Sequence, residues 1–255
     1  SSIITIILSL GMTAMAKRNV IIRKMASVET LGSTDVICSD KTGTITQNKM
    51  LVKSLFVNDT LYTDEDYIDK AAMLDICASV NHNVTKNKDK YMGDETEVAI
   101  YKYLEHIKFP ANSPYVRVKE YPFDSDRKMM STINEIKGKT YSFTKGSLDS
   151  IINRCTKYLV NGNLYNMTTE YKQKIFDIEK EQSAKSLRLL AFSYKYENIE
   201  DPENDMIFIG LIGMMDPPRE SVSNAIQTCQ RSGIKPIMIT GDSINTATAI
   251  AKQVG

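Results

Sequence analysis

The stretch Asp40-Lys41-Thr42-Gly43-Thr44-Ile45-Thr46 combines residue types suited to phosphoryl chemistry. Val36, Ile37 and Cys38 read as a buried parallel strand that breaks at Asp40 into a polar, glycine-containing turn. In open α/β sheets the ligand crevice lies outside the carboxyl ends of the strands. A carboxylate placed there can attack the γ-phosphorus of ATP and become an aspartyl phosphate, a form of covalent catalysis. Thr42, Gly43 and Thr44 would offer backbone N–H groups and hydroxyls to the phosphoryl oxygens, as an anion-binding nest does. An ordinary Asx turn is the competing reading of Asp-Lys-Thr-Gly alone. Thr240-Gly241-Asp242 sets a second hydroxyl, a flexible backbone and a carboxylate at another strand-to-helix turn, where a helix N-terminus can hold phosphate or Asp242 can simply cap the helix. Asp216-Pro217-Pro218-Arg219 reads as a rigid turn. Between these, Phe123-Asp124-Ser125-Asp126-Arg127-Lys128-Met129 joins an aromatic face to cations, so that adenine could stack on Phe123 while Lys128 offers phosphate a point charge. Lys145 ends a strand and Gly146 lets backbone approach a ligand closely, although each cation taken singly is equally a surface charge.

The elements that must position these residues fall into two patterns. Strand and helix units lie before residue 50 and after residue 210: Val36–Cys38, the helical face Val222, Ala225, Ile226 and Cys229 closed by Gly233, and a buried strand over Lys235–Thr240 followed by a helix opening at Gly241-Asp242-Ser243. The block between is mixed. Met50–Val57 is extended, turns at Asn58-Asp59 and continues at Leu61-Tyr62. Thr63 with Asp64, Glu65 and Asp66 predicts a helix start, with Ile68, Ala71, Ala72 and Ile76 as its stripe. A second helix opens at Gly93-Asp94-Glu95-Thr96-Glu97, carries Val98, Tyr101 and Leu104, and ends before Pro110 and Pro114. Three strands follow over Val116–Tyr121, Met129–Ile136 and Lys139–Phe143, the last two forming a hairpin across Lys137-Gly138. A helix after Thr168 and strands at Leu189–Tyr194 and Ile207–Gly213 complete the block. The order predicts a doubly wound α/β domain interrupted by an inserted α+β domain with an antiparallel sheet.

The chain has 255 residues, with 32 basic against 31 acidic side chains and a net charge of +1. That balance gives no support to a nucleic-acid partner. Cys38, Cys77, Cys155 and Cys229 are widely spaced, which disfavours a disulfide framework or zinc ribbon. His82 and His106 stand apart from any ligand cluster and read as surface or half-buried side chains. Ser1–Ala16 is an uncharged apolar run, ~24 Å long as a helix and shorter than a bilayer span needs. Lys17, Arg18, Arg23 and Lys24 follow, as where a spanning helix leaves the membrane on the cytoplasmic side; a buried amphipathic helix is the alternative. The abrupt start and the absence of an initiator Met give the chain the look of a piece of a longer protein.

The seven residues from Asp40 resemble the phosphorylation signature of the P-type ATPases, cation pumps that pass through an aspartyl phosphate. The order and spacing of Glu97, Phe123, Lys128, Lys145 and Arg188 are similar to the nucleotide-binding residues of the type II, calcium-pump-like members. The resemblance covers almost the whole chain. It implies a haloacid-dehalogenase-like phosphorylation domain at 28–50 and 211–255, incomplete, a nucleotide-binding domain at 51–210, and the end of a membrane helix with its stalk at 1–27. It implies Asp40 as the phosphorylated residue, with Lys41, Thr42, Thr240, Gly241 and Asp242 around it, Mg2+ held by Asp40 and the Thr42 carbonyl, and Phe123 as the adenine platform. It further implies Glu97, Lys128, Lys145, Gly146, Arg188, Asp216 and Arg219 as the nucleotide side of the site, and Thr240 and Gly241 as holding the transferring phosphoryl group. ATP would be the substrate and a cation, calcium foremost, the cargo of a membrane-embedded parent whose actuator and membrane domains are partners. Lys145-Gly146-Ser147-Leu148-Asp149 departs from the family's usual Lys-Gly-Ala-Pro-Glu. Gly255 precedes the family's distal Lys and Gly-Asp-Gly-x-Asn-Asp segment, so a polypeptide of this span is expected to bind ATP without sustained turnover.

Two other functions fit parts of the sequence. A haloacid-dehalogenase-type phosphatase shares the Asp nucleophile, but usually carries a second Asp where this chain has Thr42, which points to a longer-lived phosphoenzyme. A nucleotide-binding module without catalysis is the third.

Overall fold

In a computed structural model, residues 2–63, 70–110, 115–196, 199–242 and 244–255 are described. The helix expected to open at Thr63 through Asp64–Asp66, with Ile68, lies largely outside them, as do Pro114 and Ser243. The chain opens with helices α1 (Ser2–Ala16) and α2 (Ala26–Gly32). Ile3, Ile4, Ile6, Ile7 and Leu10 of α1 are exposed, and no helix among the described residues is long and apolar enough to cross a membrane.

Strand β1 (Val36–Asp40) is followed by β2 (Leu51–Val57), β3 (Thr60–Tyr62), helix α3 (Ala72–Val80), the hairpin β4 (Thr85–Asn87) and β5 (Lys90–Met92), and helix α4 (Glu95–His106). Then come β6 (Val116–Asp124), β7 (Met129–Ile136), β8 (Lys139–Gly146), α5 (Leu148–Ile152), β9 (Cys155–Val160), β10 (Asn163–Asn166) and α6 (Thr169–Ala184). The chain continues through β11 (Arg188–Lys195), β12 (Met206–Met215), α7 (Glu220–Arg231), β13 (Lys235–Ile239) and α8 (Ile244–Val254).

Nine strands form one sheet in the order β10-β9-β12-β11-β8-β7-β6, with β2 on the far half of β12 and β3 beside β2. Every pair is antiparallel except β9 with β12. Local chemistry sets the turns and helix starts. Asn58 and Asp59 take φ of 51° and 64°, and Lys137 and Gly138 take 50° and 74°, the positive values a two-residue hairpin needs. Asp94 and Thr168 cap α4 and α6 by accepting from the Thr96 and Tyr171 N–H groups, as capping side chains do.

The pleat then sorts side chains between two cores. Leu55, Val57, Phe143, Phe192 and Tyr194 pack under α3 and α4 with Leu74, Cys77, Ile100 and Leu104. Phe56, Met129, Ala191 and Phe208 face the other way, onto Leu148, Ile151 and Ile152 of α5 and Ile175 of α6. Residue 210 falls inside β12, so the sequence-derived boundary there cuts a strand rather than a loop.

Among the described residues β1 pairs only with β13, in parallel, and Asp40 stands opposite Ile239. The strands expected to be buried at Val36–Cys38 and Lys235–Thr240 are largely exposed: Val36 is 43 % and Ile239 57 % accessible. Parallel strands become buried when helices cover both faces. Here one small core of Ile45, Ile250 and Val254, backed by Val222, Ile226 and Met238, does the covering. His82 also differs from expectation: it is buried, and its Nδ1 accepts from the Val84 N–H.

Candidate functional site

The parallel register brings the ends of β1 and β13 side by side, so Asp40 and Thr240-Gly241-Asp242 leave the two strands at the same level. After Asp40 the backbone makes a wide turn over Lys41–Ile45, closed by the Thr46 N–H on the Lys41 carbonyl at 2.9 Å. Gly43 has φ of 77°, a left-handed conformation that glycine adopts without steric cost. The Asp40 carboxylate is exposed and has no hydrogen-bond or ion-pair partner among the described residues. Lys41 pairs with Asp242, and the Asp242 N–H donates to Thr240 Oγ1 at 3.1 Å. This pair ties the two strand ends together and occupies the Lys41 ammonium with a protein carboxylate.

The turn is gripped from outside by residues 216–219. Asp216 Oδ2 accepts from Thr46 Oγ1 at 2.5 Å and Oδ1 from the Lys49 N–H at 3.1 Å. The Gln47 N–H donates to the Pro217 carbonyl, and Arg219 donates from Nε to the Thr46 carbonyl at 3.1 Å and from Nη2 to the Gly43 carbonyl at 2.8 Å. Asp216 and Arg219, expected on the nucleotide side, thus hold the Asp40 turn in shape. A cleft of about 540 Å³ runs from this turn to the end of β11, lined among others by Lys41, Thr42, Arg188, Asp216 and Asp242. It brings five of the sequence-derived candidates together.

Glu97 and Lys145 meet elsewhere, on the α3/α4 side of the large sheet. Lys145 is 7 % exposed. Its Nζ donates to Glu97 Oε1 at 2.6 Å and to the Asn81 carbonyl at 2.5 Å, and Glu97 Oε2 accepts from the Asn83 N–H at 2.9 Å. Burial pulls the Lys145 ammonium below its ordinary range, and the Glu97 carboxylate opposes that. Two of its three donors are taken by these partners. Asn81 and Asn83 have no signal in the sequence, because they act through backbone atoms brought in by tertiary structure.

Phe123 is 64 % exposed on β6, where the pairing with β7 is irregular between Tyr121 and Asp124. The loop behind it is braced by Asp124, which accepts from the Asp126 and Arg127 N–H groups at 3.0 and 2.9 Å, and by Arg127, which donates to the Pro122 carbonyl and pairs with Glu203. Lys128 is exposed with φ of 55°. Its carbonyl explains Gly146: a Cβ there would lie 2.4 Å from Lys128 O and 2.7 Å from Met129 Cβ. Gly146 therefore serves a close approach of the chain to itself.

Residues 65–221 match the family described as P-type ATPase, cytoplasmic domain N. That match covers more than half of the chain, and the chain belongs to the P-type ATPase family. Among curated relatives it is 43 % identical to calcium-transporting ATPase 1 of Lactococcus lactis, with all of this chain and 30 % of that protein covered. It is 40 % identical to calcium-transporting ATPase 1 of Bacillus cereus at the same coverages, and 32 % identical to human potassium-transporting ATPase alpha chain 2, with 99 % of this chain and 28 % of that protein covered. The chain thus spans about a third of the length of these relatives.

Proposed function

We propose that this chain is the catalytic cytoplasmic region of an ATP-driven cation pump, with calcium as the cation, in which Asp40 becomes an aspartyl phosphate. The observation that carries the reading is the unpaired Asp40 carboxylate at the end of a parallel strand, on a turn braced by Asp216, Arg219 and the Lys41–Asp242 pair. An Asp40 oxygen attacks the γ-phosphorus of ATP, the bond to the β–γ bridging oxygen breaks, and ADP leaves. Most of the catalysis in such a transfer is positioning and charge neutralisation. The names of the bacterial relatives favour calcium.

Mg2+ bound by one or two carboxylates and substrate phosphates fits Asp40 and the Thr42 carbonyl. When bound it would neutralise charge on the phosphates. The other nearby carboxylates are engaged, Asp216 with Thr46 and Lys49 and Asp242 with Lys41. Among the described residues no group of three acidic, His or Cys side chains stands ready for a metal. Asp40 would have to serve as nucleophile and ligand at once, and we infer that residues 1–255 bind nucleotide without sustained hydrolysis. The same reading makes residues 28–50 and 211–255 parts of a haloacid-dehalogenase-like domain, and places Phe123, Lys128, Glu97, Lys145 and Arg188 along the nucleotide.

The test is a titration of residues 1–255 with TNP-ATP, displaced by ATP, run beside a phosphoprotein assay with labelled ATP. Saturable binding with little phosphoprotein is expected. Magnesium-dependent turnover that disappears in Asp40→Asn would mean a self-sufficient phosphatase or ATPase. Absence of nucleotide binding would remove the reading altogether.

A further inference from the structure

The Lys145–Glu97 pair is held by a turn that neither residue belongs to. The segment Val80–Val84 leaves α3 and presents two backbone groups to the pair: the Asn81 carbonyl, 2.5 Å from Lys145 Nζ, and the Asn83 N–H, 2.9 Å from Glu97 Oε2. What fixes this segment is Arg117 on β6. Its Nη2 donates to the Val80 carbonyl at 2.7 Å and the His82 carbonyl at 2.6 Å, and its Nη1 to Asn83 Oδ1 at 2.6 Å and Glu120 Oε2 at 2.9 Å. Glu120 Oε1 closes the ring by accepting from Asn83 Nδ2 at 2.8 Å.

A strand irregularity makes the arrangement possible. Residues 117 and 120 are three apart and would face opposite sides of a regular strand. The register between β6 and β7 slips between Arg117 and Lys119, and an extra residue of this kind re-aims the side chains beyond it. Both the guanidinium and the carboxylate then reach the Val80–Val84 turn. A planar fork with donors in fixed directions can serve the two carbonyls and the two side-chain oxygens at once, whereas a lysine ammonium has only three donors on a single atom. From Asn81 the tie continues into the sheet, since its Nδ2 donates to the Met130 and Phe143 carbonyls at 3.2 and 2.9 Å.

We propose that Arg117 is a positioning residue for the candidate nucleotide site: by clamping the Val80–Val84 turn it sets the two backbone groups that aim Lys145 and Glu97. The proposal rests on the reading of Lys145 as a nucleotide contact. Arg117 itself need not touch the ligand. A charge-assisted hydrogen bond such as that between the Asn81 carbonyl and Lys145 is strong enough that misdirecting it weakens binding by roughly ten-fold.

The experiment is a TNP-ATP titration, with ATP displacement, of residues 1–255 as wild type, Arg117→Met, Lys145→Met and the double variant, each with its urea unfolding curve. Arg117→Met is expected to weaken binding about ten-fold, and to have no further effect when Lys145 is already Met, because the clamp acts through that ammonium. Arg117→Lys, which keeps the charge beside Glu120 but loses the fork, should behave like Arg117→Met, and it carries the test if Arg117→Met does not fold. If Lys145→Met weakens binding while a folded Arg117 variant binds as wild type does, or if the Arg117 and Lys145 effects multiply, Arg117 is a structural residue only and the proposal fails. If Lys145→Met leaves wild-type affinity unchanged, the nucleotide reading of Lys145 fails, and the proposal falls with it.

Discussion

Replacing Glu97 by Gln isolates the electrostatics of the buried pair. The substitution keeps shape and an acceptor for the Asn83 N–H, but removes the negative charge 2.6 Å from an ammonium that is 7 % exposed. Breaking a buried pair from one side leaves an uncompensated charge and costs about 3 to 5 kcal/mol. Lys145 keeps the Asn81 carbonyl and can lose its proton, so the low end, about 3 kcal/mol, is the expected loss at neutral pH. The pH dependence has a definite sign. Burial lowers the folded-state pKa of Lys145 below its ordinary 10.5, and Glu97 is the largest opposing influence. Between the folded and unfolded values the unfolded chain binds more protons, so stability rises with pH through that window. Removing Glu97 lowers the folded value further and extends the window toward neutrality. Urea unfolding between pH 7 and 10 should therefore show a Glu97→Gln deficit that shrinks as pH rises. A deficit below about 1 kcal/mol, the range of an exposed pair, or one that stays constant with pH, would refute the burial argument.

Phe123→Ala should weaken TNP-ATP binding about five-fold or more, since stacking on an aromatic ring contributes ~1 to 3 kcal/mol, while the unfolding midpoint stays put because the ring is 64 % exposed. Gly146→Ala is expected to lower stability by about 1 to 3 kcal/mol, as overpacking does, because its Cβ meets the Lys128 carbonyl at 2.4 Å; thermal unfolding of the variant reads this directly. Asp216→Ala leaves the fully buried Thr46 hydroxyl without its carboxylate partner and should cost about 1 to 3 kcal/mol, with earlier proteolytic nicking between Lys41 and Lys49 as the local readout.

What the sequence makes legible here is what local chemistry decides. The turns at Asn58-Asp59 and Lys137-Gly138 and the helix starts at Asp94 and after Thr168 depend on atoms a few residues apart, and the structure has them where they are expected. Asn161-Gly162 is an equally local signal, with φ of 50° and 81°, and the β9–β10 hairpin it joins was open to the same reading. Long-range order was not. Nothing in Ile207–Gly213 says that β12 lies between β9 and β11 and also accepts β2 along its far half. The hydrophobicity of Val36–Cys38 predicts a strand, but burial depends on how many neighbours cover it, and one parallel partner with two helices leaves it open. For the site, the types of Glu97 and Lys145 are visible 48 residues apart, whereas their contact, and the Arg117 clamp behind it, depend on a register slip that no residue pattern announces.

The same distinction bears on Asp216 and Arg219. The family resemblance implies a ligand contact for both, and Asp216 lines the cleft that holds Lys41, Thr42 and Arg188, yet their bonds run to the turn after Asp40. Asp216 directly follows β12, the strand that threads the middle of the large sheet. Leu51 pairs with Met215 in that sheet, Thr46 bridges to Pro218, and the Gln47 N–H reaches the Pro217 carbonyl. The two chain segments leaving the sheet therefore run antiparallel and bonded to each other as far as the Lys41–Ile45 turn. Asp216 joins the end of β12 to Thr46 and Lys49, and Arg219 joins the same segment to the carbonyls of Gly43 and Thr46. Position at the sheet and position at Asp40 are thus linked by short covalent and hydrogen-bonded paths, as the in-line attack proposed for Asp40 would require, since a misplacement of ~1 Å costs about a hundred-fold in rate.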